Sequence, residues 1–400
     1  MGQNSHSKRL PVVLIFTRYY LPAYKAGGPV RSVVNLIQQL KDKIHFKIIC
    51  SDRDNGDQKP YSQIAIQQWI HQDGVDIYYA QSGSMNAQFY KERYAETQPD
   101  IIYLNSFFDR QFSMFPIYFF RKSLTPIILS SRGEFSIGAL AQKSLIKSVY
   151  LKLVKTISFY KNVYWHATSS DENAQIKKIL NIKSDRIYQI NNIADQSLTP
   201  VEHLQKNKNH PFKVVLPARI SRMKNTLYAI QVINQIQAPV QLDLIGVNED
   251  AELFETCKNE IKQSPHHVKI NYLGSVPHEN LHQELMKYDM MLMPTLGENF
   301  GHSIIESLAA GLPVVISDKT PWRSLKEKNI GFDLSLDHQS AFVQAINSYI
   351  QMSDEEFYKT KINCLNFVKE YRQSSQDAQL YYQMFMNLIS SSSSGKRSDD

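Results

Sequence analysis

The sequence predicts an α/β protein made of two successive doubly wound, parallel-sheet domains. Three observations predict it: short apolar runs alternate with amphipathic stretches, a polar segment at 196–211 interrupts the alternation, and the alternation then restarts over a second block of similar size. The 400 residues suffice for two or three domains. The content of 42% apolar and 21% charged residues excludes a wholly disordered chain.

The two blocks contain the same kinds of element. Short apolar runs predict buried strands, and a 3.6-residue apolar period predicts helices. In the first block we expect strands at 12–16, 46–50, 75–80, 101–104 and 127–130, and a helix at 31–40 introduced by Gly27 and Gly28. In the second block we expect strands at 212–217, 240–245, 268–273, 290–293 and 313–317, and a helix at 226–236.

Charge is distributed unevenly along the chain. Residues 1–199 carry a net charge of +10 and the remainder −3, so the first block should favour a phosphorylated substrate, an acidic membrane or a nucleic acid. The stretch 142–161 has five lysines, no acidic residue and an apolar face that includes Val149 and Leu153. It predicts either an ordinary surface helix docked on the sheet or a helix that contacts an anionic membrane.

The cysteines, the length of the apolar runs and the N-terminus indicate the cellular compartment of the protein. Cys50, Cys257 and Cys364 are widely spaced and odd in number, which excludes a disulfide framework and a cysteine-rich zinc module. No run approaches 18 apolar residues, and the N-terminus does not resemble a signal peptide. We therefore expect a cytoplasmic protein. The serine-rich tail 390–400 is expected to be disordered.

The segment 294–306 contains the most informative pattern. A strand is expected to end at Pro294, and a helix to begin near Gly301, with Glu298 and Glu306 on either side of that point. A helix N-terminus just after a strand suits a phosphate, and carboxylates accept hydrogen bonds from hydroxyls. A sugar nucleotide offers both groups.

The span from Glu298 to Glu306 is a Glu-x7-Glu motif and resembles that of family 4 of the retaining glycosyltransferases, which have the GT-B fold. Three further segments resemble motifs of that family: the glycine-containing loop at 20–32, the Arg-x4-Lys-Asn motif at 219–225 and the loop at 274–281. The resemblance implies two Rossmann-like domains facing across a cleft. An acceptor domain at 1–199, rejoined by a helix at 378–389, would face a nucleotide-sugar domain at 205–377.

The resemblance also implies roles for individual residues. Arg219 and Lys224 would neutralise the leaving diphosphate without a metal, and the nucleotide-sugar would be a co-substrate, so no cofactor is expected. Glu298 would bind hydroxyls of the donor sugar and Glu306 those of the ribose. The remaining donor-binding positions would be Gly27, Gly28, Gly274, Val276, Asn299, Phe300, Gly301, His302 and Ser303.

The sequence departs from the family at one position. Many members have a histidine at the end of a middle strand of the first domain, where this chain has Arg132. Arginine cannot act as a base because its pKa is above about 12. Arg132 could bind a phosphate or an acceptor carboxylate, or it could form a structural ion pair.

The resemblance therefore implies a retaining transfer from a UDP- or GDP-sugar to a lipid-linked, polysaccharide or lipopolysaccharide acceptor. Two other classes stay open at this stage: another GT-B enzyme, such as an epimerase or phosphorylase, and a non-catalytic binder of sugar nucleotides. A binder has no need of the sugar-facing Glu298, and a phosphorylase would require free phosphate.

Four competing patterns carry less weight. His278, Glu279 and His282 match the zinc-protease H-E-x-x-H motif, but Pro277 puts His278 in the first helical turn and no third ligand follows. The D-x-D triplet at 52–54 is common by chance. His166 is expected to be a packed core histidine. The aromatic and basic stretch 107–122 is better explained by a helix on the sheet than by nucleic-acid binding.

Overall fold

The computed structural model describes residues 9–135, 144–156, 159–196 and 211–394. The chain forms two compact units. Unit 1 comprises Met1–Ile193 and Gln376–Asp400, and unit 2 comprises Ala194–Ser375. Each is a Rossmann-like α/β unit, which confirms the predicted fold class. The chain thus passes from one unit to the other at 193–194 and again at 375–376.

Unit 1 is built on an eight-stranded sheet in the order β3-β4-β2-β1-β5-β6-β7-β8. Its pairs are parallel except for the β3–β4 hairpin. β1 lies between β2 and β5, so chain order switches direction between β1 and β5. Its strands are β1 Val12–Thr17, β2 His45–Ser51, β3 Trp69–Gln72, β4 Val75–Ala80, β5 Ile101–Asn105, β6 Ile127–Ser130, β7 Val163–Ala167 and β8 Ile187–Gln189.

Helices cover both faces of this sheet, which is why β1, β5 and β6 are buried along their whole length. One face packs on α1 and on the C-terminal helix through Tyr381 and Phe385, and the other on α2 to α5. The helices are α1 Gly28–Leu40, α2 Ala87–Thr97, α3 Phe115–Phe120 preceded by one π-helical turn, α4 Ser144–Thr156, α5 Ser170–Leu180 and the C-terminal α12 Asp377–Ser394.

Unit 2 repeats the scheme with a six-stranded parallel sheet in the order β11-β10-β9-β12-β13-β14. Here the switch in direction lies between β9 and β12. The strands are β9 Phe212–Pro217, β10 Val240–Ile245, β11 Val268–Gly274, β12 Met290–Met293, β13 Val314–Ser317 and β14 Gly331–Leu334. The helices are α6 Thr226–Asn234, α7 Ala251–Lys262, α8 His278–Leu285, α9 His302–Ala309, α10 Gln339–Gln351 and α11 Asp354–Ser374.

One local expectation is wrong. Residues 390–394, part of the tail expected to be disordered, continue α12 to Ser394. The hydroxyls of Ser391 and Ser392 donate to the carbonyl of Leu388, a local bond that a helix accommodates, and serine is only mildly unfavourable in helices. Most of the expected linker, 197–210, and the last six residues lie outside the described residues. Within the described part of the chain, no helix is both long and apolar enough to cross a bilayer.

Candidate active site

The predicted donor residues of unit 2 gather at the carboxyl edge of its sheet, where β9 and β12 are neighbours. In doubly wound sheets this switch point is where ligands bind, because the loops after the two strands part in opposite directions. The segment after β9 carries Arg219 and Lys224, and the segment after β12 carries Glu298. The sequence assigned these side chains to one site from separate motifs, and the fold brings both segments to one edge.

Lys224 and Glu298 form a direct ion pair between ammonium and carboxylate. Both side chains are largely buried, at 16% and 13% exposed. Backbone contacts fix the two segments together: Leu296 N–H donates to Met223 C=O over 2.8 Å, and Asn225 Nδ2 donates to Pro294 C=O over 3.0 Å. The pair is therefore built into the loops and is not a chance meeting of surface side chains.

Arg219 is also paired with a carboxylate. Its Nη1 donates to Glu249 Oε1 over 2.6 Å, at a more exposed position than the Lys224 pair. The sequence reasoning missed Glu249 and also Gly246, which follows β10. A Cβ at Gly246 would lie 2.2 Å from the carbonyl oxygen of Ala218, so only glycine allows the β10 end to approach the backbone beside Arg219. The signal available was a glycine directly after an apolar strand.

α9 begins directly behind Glu298. Gly301 precedes it with φ 78°, and a Cβ there would lie 2.7 Å from Cδ1 of Ile304. Phe300 is 5% exposed, packs against His302 and Trp322, and accepts the Trp322 indole N–H at its carbonyl over 2.5 Å. The first turn of α9 contains no acidic side chain. The dipole of α9 thus favours an anion at this edge.

Glu306 lies on α9, one and a half turns into the helix, and is 5% exposed. His278, the first residue of α8, donates from Nε2 to Glu306 Oε1 over 3.1 Å. The carboxylate of Asp195 lies 4.0 Å from the same nitrogen. The sequence analysis included His278 in the family-like loop at 274–281 and in a rejected zinc motif but gave it no role of its own, and the structure makes it a partner of Glu306.

The other predicted donor positions divide between the units. Gly274 ends β11 with φ 73°, and its carbonyl accepts from Gly246 N–H over 2.8 Å. Val276 packs against the core beside α9, while Asn299 and Ser303 are partly exposed at that helix's start. Gly27 and Gly28 belong to unit 1, where Gly27 takes φ 67° and caps α1 after β1.

Arg132 also belongs to unit 1 and follows β6. It forms no ion pair with a carboxylate of the described residues; its side chain donates instead to Asn105, Asn192 and Tyr103. Within the described part of the chain, the alternative of a structural ion pair is thus not observed. His166 on β7 is fully buried: its Nε2 donates to Ile190 C=O, and its Nδ1 accepts from the Tyr103 hydroxyl.

The competing motifs have structural explanations. Asp52 forms an ion pair with Arg53, and Asp54 accepts hydrogen bonds from the backbone N–H groups of Tyr24 and Lys25. Both aspartates of the D-x-D triplet therefore stabilise loops. His278 is bonded to Glu306, and no cluster of three potential metal ligands occurs among the residues that the structure describes. Phe107, Phe112 and Phe120 are buried in the core of unit 1.

Comparison with known proteins finds glycosyltransferases, in agreement with the motifs in unit 2. Residues 201–362 match the model of the family described as "Glycosyl transferases group 1". A curated relative, the O-antigen biosynthesis glycosyltransferase WbnH of Escherichia coli, is 26% identical over 177 residues, 43% of this chain and 46% of the relative. The aligned part thus spans about half the length of that relative.

The fold is similar to those of solved glycosyltransferase structures over nearly the whole chain. Sucrose-phosphate synthase from Thermosynechococcus elongatus matches with a TM-score of 0.73 and 18% identity, covering 96% of this chain and 100% of that one. Anabaena Alr3699/HepE, solved in complex with UDP and glucose, matches with a TM-score of 0.67 and 13% identity, covering 96% and 100%. At these identities the likeness establishes the GT-B fold of two α/β domains.

Proposed function

We propose that this chain, whose residues 201–362 match the model of the glycosyl transferases group 1 family, is a retaining glycosyltransferase. It moves a sugar from a UDP- or GDP-sugar to a lipid-linked, polysaccharide or lipopolysaccharide acceptor. One observation carries the proposal: two cations, a helix N-terminus and two carboxylates lie on the segments that follow the neighbouring strands β9 and β12. A nucleoside diphosphate sugar has the complementary groups, an anionic diphosphate and two sets of hydroxyls.

Arg219 and Lys224 stabilise the charge that grows on the diphosphate as the bond from the sugar C1 to the phosphate oxygen breaks. A single preorganised donor of this kind contributes about 3–4 kcal/mol to lowering a barrier. The acceptor oxygen forms the new bond to C1 on the same face, and its proton passes to the departing phosphate oxygen. Since the two cations balance this charge, the reaction we propose uses no metal.

Donor binding also changes the Lys224–Glu298 pair. Without ligand, Glu298 neutralises the ammonium of Lys224. An arriving diphosphate competes for that ammonium and leaves the carboxylate of Glu298 available to the sugar hydroxyls. The two roles are thereby coupled, because Glu298 binds the sugar when Lys224 binds the phosphate.

The acceptor side is proposed to lie at the inner face of the cytoplasmic membrane. In α4 the side chains of Val149 and Leu153 are 67% and 56% exposed, although sequence periodicity put them on the face that would dock on the sheet. Lys152 and Lys155 are exposed beside them, while Val154 faces the core. Exposed apolar side chains among lysines favour an anionic bilayer surface. Flotation with phosphatidylglycerol vesicles, lost in Val149→Ser/Leu153→Ser, tests this contact.

The donor proposal is tested by thermal stabilisation across UDP-, GDP-, ADP- and dTDP-sugars, for wild type and Glu306→Ala. A ligand at about 100 times its Kd adds roughly 2.7 kcal/mol of stability to the folded state. Stabilisation by one nucleotide class, lost in the variant, is the expected result. Equal stabilisation of both proteins, or of neither, would remove the basis for this site.

Transfer is then separated from the other GT-B chemistries. We expect transfer of radiolabelled sugar to membrane lipid or polysaccharide fractions to persist in EDTA and to need no added phosphate. A requirement for free phosphate would indicate a phosphorylase. Conversion of the donor without an acceptor would indicate an epimerase.

A further inference from the structure

Unit 1 holds a guanidinium at the carboxyl edge of its sheet, at the switch point between β1 and β5. Arg132 Nε donates to Asn105 Oδ1 and Nη1 to Asn192 Oδ1, each over 2.5 Å, and Nη2 donates to the Tyr103 hydroxyl over 3.1 Å. All three partners are neutral, so they fix the position of the cation and leave its charge in place.

Two acidic side chains near Arg132, Glu172 and Glu134, form their hydrogen bonds with other groups. Glu172 is fully buried, and its two oxygens accept from Ser131 Oγ, Gly133 N–H and both the N–H and hydroxyl of Thr168, over 2.6–2.7 Å. Glu134 accepts from Ser106 Oγ over 2.7 Å and from two backbone N–H groups. Both carboxylates therefore hold the loop that presents Arg132 and do not form an ion pair with it.

The backbone of that loop is also specialised. Arg132 adopts φ 50°, a left-handed conformation that residues other than glycine and asparagine rarely take, and Gly133 follows at φ 78°. Such conformations persist where the surroundings over-determine them, and they concentrate at binding sites. Here the buried carboxylate of Glu172, the half-buried carboxylate of Glu134 and two asparagines supply that constraint.

The group behind Arg132 does not carry a compensating charge. The Tyr103 hydroxyl accepts from Arg132 and donates to His166 Nδ1 over 2.8 Å, while His166 Nε2 donates to Ile190 C=O over 2.9 Å. Both ring nitrogens are thus occupied, and His166 is a neutral support for Tyr103. Asn105 in turn donates from Nδ2 to Thr17 Oγ1 over 3.1 Å, which ties the guanidinium to the end of β1.

We propose that Arg132 binds an oxyanion of the acceptor, a phosphate or a carboxylate, at the β1–β5 switch point of unit 1. Arg132 is half-buried, neutral groups hold its guanidinium at an edge where ligands bind, and no carboxylate of the described residues pairs with it, so an oxyanion is the complementary group. That the anion belongs to an acceptor rests on the proposed function. The oxyanion site itself rests on unit 1 alone.

The test titrates inorganic phosphate into the full-length Arg219→Ala/Lys224→Ala protein, so that the donor cations contribute nothing. We expect phosphate binding, followed by ³¹P NMR line broadening, that Arg132→Gln weakens at least about tenfold and Arg132→Lys less. The control is Arg186→Gln, which removes the same charge from a guanidinium stacked on Tyr164. It should leave the phosphate affinity within about twofold. Methyl glucuronide serves as the carboxylate probe, and the tighter of the two probes identifies the acceptor class.

A second measurement needs no variant. Phenylglyoxal modifies accessible arginines, and mass spectrometry of peptides from the wild-type protein reads each site. Phosphate should protect Arg132 and leave Arg186 reactive. An Arg132 that reacts equally with and without phosphate, or that never reacts, overturns the inference, as does an Arg132→Gln protein that binds phosphate like its parent. UDP binding unaffected by Arg219→Ala/Lys224→Ala would instead contradict the proposed donor site and leave the Arg132 result standing.

Discussion

His278 Nε2 donates to Glu306 Oε1 over 3.1 Å and lies 4.0 Å from the carboxylate of Asp195. Asp195 is the second residue of unit 2 and is 3% exposed. The imidazole therefore fixes the orientation of the glutamate proposed to hold the ribose, and the same nitrogen lies near the segment where the chain enters unit 2.

This relationship predicts a specific effect of His278→Ala. A hydrogen bond to a charged group contributes about 1.5–3 kcal/mol, so we expect affinity for UDP or GDP, whichever binds, to fall about tenfold or more. Preference for the ribonucleotide over its 2′-deoxy analogue should fall with it, because Glu306 loses its orientation. His278→Gln, which keeps an N–H donor, should restore part of that preference.

The control for this prediction is His267→Ala, which removes a ring that contacts Ile236 C=O at the edge of unit 2. It should leave the ribose preference intact. Equal weakening of ribo- and deoxyribonucleotide binding by His278→Ala would show that the histidine only supports the fold.

Gly246→Ala should be among the most damaging substitutions in unit 2. A Cβ there would lie 2.2 Å from Ala218 O and 2.9 Å from Arg219 N, so the end of β10 must move away from β9. We expect a loss of ~3 kcal/mol or more in unfolding free energy, together with weaker nucleotide binding. Gly83→Ala is the matched control, since Gly83 has φ 83° with no atom within 4 Å, and it should cost ~1 kcal/mol. Similar melting temperatures for the two variants would contradict the clash.

Sequence patterning predicted the two-unit α/β fold, which is confirmed, and residues 201–362 match the model described as "Glycosyl transferases group 1". The reason is physical: buried parallel strands are apolar runs, as in β12 and in β9, where Lys213 is the one charged residue. The positions of Glu298 and Lys224 at one edge follow from that topology.

Contacts between residues that are far apart in the sequence could not be predicted from it. Nothing local to Glu249 indicates that it meets Arg219, and His278 belongs to a motif that suggested zinc. Arg132 looked equally like an ion-pair residue, because the commitment of Glu172 and Glu134 to backbone N–H groups appears only once the chain is folded. The exposure of Val149 and Leu153 likewise depends on how α4 is turned against the sheet.

His166 predicts how stability depends on pH. Burial, and secondarily the charge of Arg132, lower its pKa from 6.5 to about 3. Between those values the unfolded chain binds a proton that the folded chain does not, so acid favours unfolding. Stability from this group is complete above pH 6.5 and is lost as pH falls towards 3, by ~2 kcal/mol at pH 5. His166→Gln should lower stability at pH 7 but show a smaller further loss by pH 5. Parallel pH profiles of melting temperature would contradict this prediction.

Substitutions of the two members of the Lys224–Glu298 ion pair should affect nucleotide binding differently. Glu298→Gln removes the competitor for the ammonium, so UDP or GDP without a sugar should bind as tightly as to wild type, or up to about threefold tighter. Turnover should nevertheless fall about 100-fold or more, because the amide is a weaker acceptor for sugar hydroxyls than the carboxylate and its contact is needed as C1 reacts. Lys224→Ala should weaken nucleotide binding and lower turnover by about 10²–10³. Calorimetry of the nucleotide, set beside initial rates, checks both variants. If Glu298→Gln weakened nucleotide binding as much as Lys224→Ala, the glutamate would act by holding the lysine in place, and the exchange of partners on donor binding would be wrong.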